Sequence, residues 1–158
     1  IFDNNKQKSS VDQISSPKFV YNYSNIPQQY YGIPKLILAH KMYGMPYLDL
    51  SGEYGISSRD NYVITLNDYS IDELRQIQYF LSTKTALFIY ASCCYRMRYL
   101  ERYAYTFIPN INKLNDFPSL INVKSREKRD KIIGKYFNLT EKQIFIIETS
   151  FKNYEFFV

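Results

Sequence analysis

A chain of 158 residues with 46% hydrophobic and 22% charged residues can bury a core, which excludes a disordered tail and predicts one domain, or one domain with a small appendage. The formal charge of +5 fits an anionic partner without requiring one. No run reaches the roughly 18 apolar residues of a membrane span; the longest, 85–94, is interrupted by Ser92, so no membrane partner is expected.

Residues 1–16 are polar, rich in Ser, Asn and Lys, and read as a linker or frayed entry. They carry neither an initiator Met nor a signal-peptide pattern, so the chain is expected to be a piece of a longer product. From Pro17 the pattern becomes strand-like. Phe19-Val20-Tyr21 is a short run, and residues 34–40 read as a buried strand bounded by Pro34 and Gly44. Tyr47-Leu48-Asp49-Leu50 meets the turn signal Ser51-Gly52-Glu53-Tyr54-Gly55, and a further strand, 62–66, follows Arg59-Asp60-Asn61.

Ser70-Ile71-Asp72-Glu73 is a capping box that opens a helix. Leu74, Ile77, Leu81, Thr85 and Phe88 recur at three- or four-residue steps and predict one amphipathic helix to about Phe88 or beyond. Ala104-Tyr105-Thr106-Phe107-Ile108 resembles a strand ended by Pro109, and residues 110–123 a loop. Residues 125–135 form a basic helix, most simply a solvated face and otherwise a phosphate-contacting one. Thr140-Glu141-Lys142-Gln143 is a second capping box before Ile144, Ile147 and Phe151. The expected fold class is α+β: a small, mostly antiparallel sheet packed on a long helix, with a C-terminal helical hairpin. The expected division is 1–16 linker, 17–123 main domain and 124–158 helical appendage.

The chain lacks the residues of a complete active site. Its glycines, at 32, 44, 52, 55 and 134, form no phosphate-binding loop and no nucleophile elbow. One histidine excludes a multi-histidine metal site. No Glu is followed two positions later by Lys, so the carboxylate–lysine pair of many nucleases is missing. The two cysteines, Cys93 and Cys94, are adjacent and read as reduced thiols of an intracellular protein.

Binding chemistry is more visible. Residues 95–103 interleave Arg96, Arg98 and Arg102 with Tyr95, Tyr99 and Tyr103. Arginine suits phosphate oxygens and guanine edges, and tyrosine stacks or anchors a wet interface. The plain alternative is a solvated helix end with tyrosines on the core, and A/T-rich codons alone would raise a count of 17 tyrosines. His40-Lys41-Met42-Tyr43 reads as a ligand surface or as an exposed strand end; Arg59-Asp60-Asn61 reads as base-reading residues or as a turn.

Read in order, Ile33-Pro34-Lys35-Leu36-Ile37-Leu38, Gly52-Glu53-Tyr54-Gly55-Ile56, Arg59-Asp60-Asn61-Tyr62-Val63-Ile64, Tyr79-Phe80-Leu81-Ser82-Thr83-Lys84, Arg96-Met97-Arg98-Tyr99 and Phe107-Ile108-Pro109-Asn110 resemble the C-terminal target-recognition region of N6-adenine-specific type II DNA methyltransferases. Methylase–endonuclease fusions, giant-virus copies among them, share the pattern. Tyr136-Phe137-Asn138-Leu139-Thr140-Glu141 resembles the helical ending of such sequences, and the likeness spans roughly 17–150. In that family a separate N-terminal domain binds S-adenosylmethionine and carries an Asn/Asp-Pro-Pro-Tyr/Phe motif. This chain has no Pro-Pro dipeptide. The resemblance therefore implies a DNA-binding target-recognition module with no catalytic residue and no cofactor of its own. Double-stranded DNA and the methyltransferase domain, in the same or a partner chain, are the implied partners. The implied location is intracellular and cytoplasmic, including a host cell for a viral protein. Within such a module phosphate contact is expected from Lys35, Arg96, Arg98 and Arg102, and base reading from His40, Lys41, Tyr43, Arg59 and Asn61. The competing expectation is a protein-interaction module with a basic, tyrosine-rich surface.

Overall fold

The computed structural model describes residues 24–40, 46–56, 61–67, 69–93 and 102–151. The expected linker 1–16 and the run Phe19-Val20-Tyr21 lie outside them. Within them the α+β class holds: a three-stranded antiparallel sheet accompanies four α-helices.

Strand β1 (Lys35–Ala39) lies between β2 (Pro46–Asp49) and β3 (Asn61–Thr65). All five residues of β1 are buried because both faces of the sheet are covered. Successive side chains point to opposite faces. Leu36 and Leu38 enter the main core with Leu74, Phe80, Tyr90 and Leu120, while Ile37 and Ala39 join Ile56, Tyr47, Tyr54 and Val63 behind the sheet. The register sets Lys35 against Asp49 on one side and Thr65 on the other.

Gly52 lets the 50–55 loop lie on residues 28–33. Its φ is +71°, and a Cβ there would stand 2.6 Å from the backbone of Gly32 and Ile33. Glycine meets both demands, and the Gly32 N–H donates to the Gly52 carbonyl at 2.8 Å.

Helix α1 (Ile71–Leu81) begins at the expected capping box: Ser70 Oγ accepts from the Glu73 N–H and Glu73 Oε2 from the Ser70 N–H. The expected single long helix is instead two. Ser82 Oγ donates to the Gln78 carbonyl and Thr83 Oγ1 to the Phe80 carbonyl, closing α1. Thr83 Oγ1 then accepts from the Ala86 N–H, and Asp130 Oδ1 accepts from the Lys84 N–H at 2.7 Å. These acceptors start α2 (Lys84–Cys93) by satisfying N–H groups that a helix start leaves open.

The strand expected at 104–108 is a 3-10 segment, Arg102–Phe107. Tyr105 sets its ring edge-on to Tyr62 and Tyr90, at 5.2 and 5.6 Å between centroids, and the Tyr103 hydroxyl donates to the Cys93 carbonyl. Tertiary packing of the tyrosines thus overrides their strand propensity. The 110–123 connection holds one short 3-10 turn, Ile111–Lys113, and is clamped by Gln76, whose amide donates to the Pro118 carbonyl and accepts from the Leu120 N–H.

Ser125 caps α3 (Arg126–Tyr136), and Thr140 with Gln143 makes the second capping box at α4 (Glu141–Ser150). Asn138, at φ +51°, turns the chain between them, and the Leu139 N–H returns to the Gly134 carbonyl. Both helices pack chiefly on α2. Ile133 of α3 lies in the same core as Leu36, so 124–151 share the hydrophobic unit of the residues before them.

Candidate functional site

Of the nine residues expected to contact DNA, Lys41, Tyr43, Arg59, Arg96 and Arg98 lie outside the described residues. The others do not form one open surface. Lys35 is buried, with Nζ 2.6 Å from Asp49 Oδ2 and 3.1 Å from the Ile33 carbonyl. Its charge is spent inside the protein, which removes it from the phosphate set. Asn61, 8% exposed, pairs with Ala39 at the opposite end of β1, so burial also withdraws it from base reading. His40 is half-buried with its ring edge-on to Tyr62 at 5.7 Å. Arg102 is exposed at the start of the 3-10 segment.

Asp49 organises the loop behind the sheet. Besides Lys35 it accepts from the Glu53 and Tyr54 N–H groups, both at 3.1 Å. Burial is the largest single influence on its carboxyl and opposes ionisation. Lys35 and the two N–H groups together outweigh it and hold the carboxyl below its ordinary value.

A cationic surface stands elsewhere, on α3. Lys128, Lys131 and Lys135 follow at three- and four-residue steps on its exposed side, over about 10 Å of helix, and Lys124 is exposed just before the cap. The buried side carries Ile133 and Arg129; the Arg129 guanidinium stacks on Tyr79 at 4.3 Å from the ring centroid. Of the helix's two acids, Glu127 is exposed near the row and Asp130 is turned inward to the start of α2.

Asp130 also borders a cleft of about 440 Å³ walled by Lys84, Lys131, Lys135, Asn138 and Glu148. Burial pushes its carboxyl up from 3.8 to about 6, against the pull of the Lys84 N–H and the charges of Arg126, Lys84 and Arg129. The folded state therefore binds this proton more tightly than the unfolded chain. Its stabilising contribution is full below about pH 4 and is lost as pH rises to about 6. Asp130→Asn is thus expected to gain stability relative to the parent across that interval, read from urea midpoints; a constant difference between the two proteins would refute the assignment.

Adjacent to the cleft, and sharing Thr85, Leu139 and Ile147 with it, is an apolar groove of about 430 Å³, lined by Phe88, Ile89, Phe107, Pro109, Phe137 and Ile146 among others. Phe107 is 59% and Ile146 40% exposed at its rim. Sequence reasoning did not anticipate this groove. The available signal was Ile144-Phe145-Ile146-Ile147, four apolar residues in a row on a helix, which cannot all face one core.

Among the described residues, no group of three or more His, Cys, Asp or Glu could hold a metal ion, and no helix is long and apolar enough to cross a membrane. Comparison with protein-family models, with curated proteins and with solved structures finds no match.

Proposed function

We propose that this chain is a DNA-contacting module that selects the site of action for a separate catalytic domain. The observation that carries the reading is the exposed lysine row of α3, Lys128, Lys131 and Lys135 with Lys124 before it. Ammonium groups repeated along one helix face suit a line of backbone phosphates, where they supply affinity and register without reading sequence. Arg102 adds a further exposed cation.

The finer reading is the target-recognition module of a site-specific adenine-N6 DNA methyltransferase of restriction-modification type. It rests on the ordered motifs from Ile33 to Asn110. Methyl transfer from S-adenosylmethionine then belongs to an N-terminal methyltransferase domain, in the same or a partner chain, which takes the flipped adenine while this module holds the duplex. Such an enzyme acts in the cytoplasm, or in a host cell if viral.

Lys128→Ala tests the reading in a titration of the chain with short duplexes over a range of salt. It is expected to weaken binding alike for all sequences and to reduce the slope of log K against log salt by about one. Unchanged affinity and slope would remove α3 from the interface. A second reading, a protein-interaction module, is favoured by the apolar groove and its exposed rim.

A further inference from the structure

We propose that the groove between α2, α4 and the 102–107 segment docks a partner protein through a short segment that carries apolar side chains at one end and carboxylates at the other. The inference gives the protein-interaction reading its ligand chemistry; its acidic end uses Lys131 and Lys135, which also belong to the row that carries the DNA reading, whereas the apolar groove contains none of that row.

The groove is built to be covered. Phe88, Phe107, Phe137, Leu139, Ile146 and Ile147 line it with almost no polar surface. Its outer wall is α4, where Ile147 is buried, while Phe145 and Ile146 are 66% and 40% exposed. Four consecutive apolar residues turn an apolar surface in every direction around the helix. Among the described residues α2 covers Ile147, while Phe107 and Ile146 at the rim are exposed. A contiguous apolar surface of this kind, rimmed by polar residues, is the usual form of a protein-binding site.

Charge defines the occupant's direction. The groove shares Thr85, Leu139 and Ile147 with the adjacent cleft that holds Lys84, Lys131 and Lys135. Two carboxylates, Asp130 and Glu148, line the same cleft against three ammonium groups, which leaves an excess of positive charge there. An occupant with aromatic or aliphatic anchors in the groove and Asp or Glu over the lysines satisfies both ends at once. A second copy of this chain, itself at +5, brings the wrong sign to that end. Duplex DNA brings the right sign but no apolar anchors for the groove.

Selection of displayed random peptides on the full chain, followed by fluorescence anisotropy of the enriched sequences, tests the proposal. Enriched peptides are expected to place Leu, Ile or Phe at helical spacing beside Asp or Glu. Ile146→Asp and Phe107→Ala, both at exposed positions, are expected to weaken their binding about tenfold or more, with the circular-dichroism spectrum unchanged. Lys131→Glu with Lys135→Glu is expected to reverse the preference toward peptides carrying Lys in place of the acids. Enrichment of basic peptides, no enrichment, or indifference to Ile146→Asp would overturn the proposal. So would a duplex that displaces the peptide and itself loses affinity on Ile146→Asp, since that would assign the groove to nucleic acid.

Discussion

Replacement of Asp49 by alanine is expected to cost about 3–5 kcal/mol of unfolding free energy, measured by denaturant titration at neutral pH. The reason is the state of Lys35 once its partner is gone. Its ammonium, buried at the start of the central strand, would keep only the Ile33 carbonyl as an acceptor. The Glu53 and Tyr54 N–H groups would lose their acceptor as well. Lys35→Met combined with Asp49→Leu is expected to recover most of the loss, because removing both charges leaves neither uncompensated. The pair also sets an acid limit. The folded Asp49 carboxyl lies below its unfolded value, so its contribution is present above about pH 4 and is lost as pH falls through the folded value. Asp49→Ala should flatten that acid limb. A loss of under about 1 kcal/mol, the worth of an exposed ion pair, would show that water reaches the pair.

Phe80→Ala is expected to cost a similar amount, about 3–5 kcal/mol, through a cavity where three parts of the chain meet. Phe80 is 1% exposed, near the end of α1. Its ring centroid lies 6.0 Å from that of Phe117 in the long connection and 6.4 Å from that of Phe137 at the end of α3. Phe80→Leu fills much of the space and should cost clearly less. Equal loss in both variants would point to ring–ring contact rather than volume as the dominant effect.

What the sequence displays and what it conceals divide by distance along the chain. The two capping boxes, at Ser70 and Thr140, are complete within four residues, and both helices begin where these motifs predict. The strand around Leu36 to Leu38 is bounded by its own neighbours and forms as expected. The break at Ser82 and Thr83 was hidden because one acceptor that starts α2 is Asp130, 46 residues onward. The helix-like spacing of Leu81, Thr85 and Phe88 persists across the break and gives no warning of it. Residues 104–108 show strand composition, yet Tyr105 settles between Tyr62 and Tyr90, which no local window can report.

For the binding site the same division is sharper. Lys35 reads in sequence as an available cation, and only the register that sets it opposite Asp49 reveals that it is neutralised. The α3 lysines were visible as a basic helix, but their alignment on one face depended on which side Ile133 and Arg129 bury.

The order β2-β1-β3 leaves the sheet with two rims that differ chemically. On β2, Pro46 has no N–H to offer a newcomer strand, and Asp49 fastens the following loop to the sheet end. On β3, Asn61-Tyr62-Val63-Ile64-Thr65 is rich in β-branched and aromatic residues and has no proline, and among the described residues it pairs with β1 alone. The chemistry that discourages strand addition is thus built into the β2 rim and absent from residues 61–65.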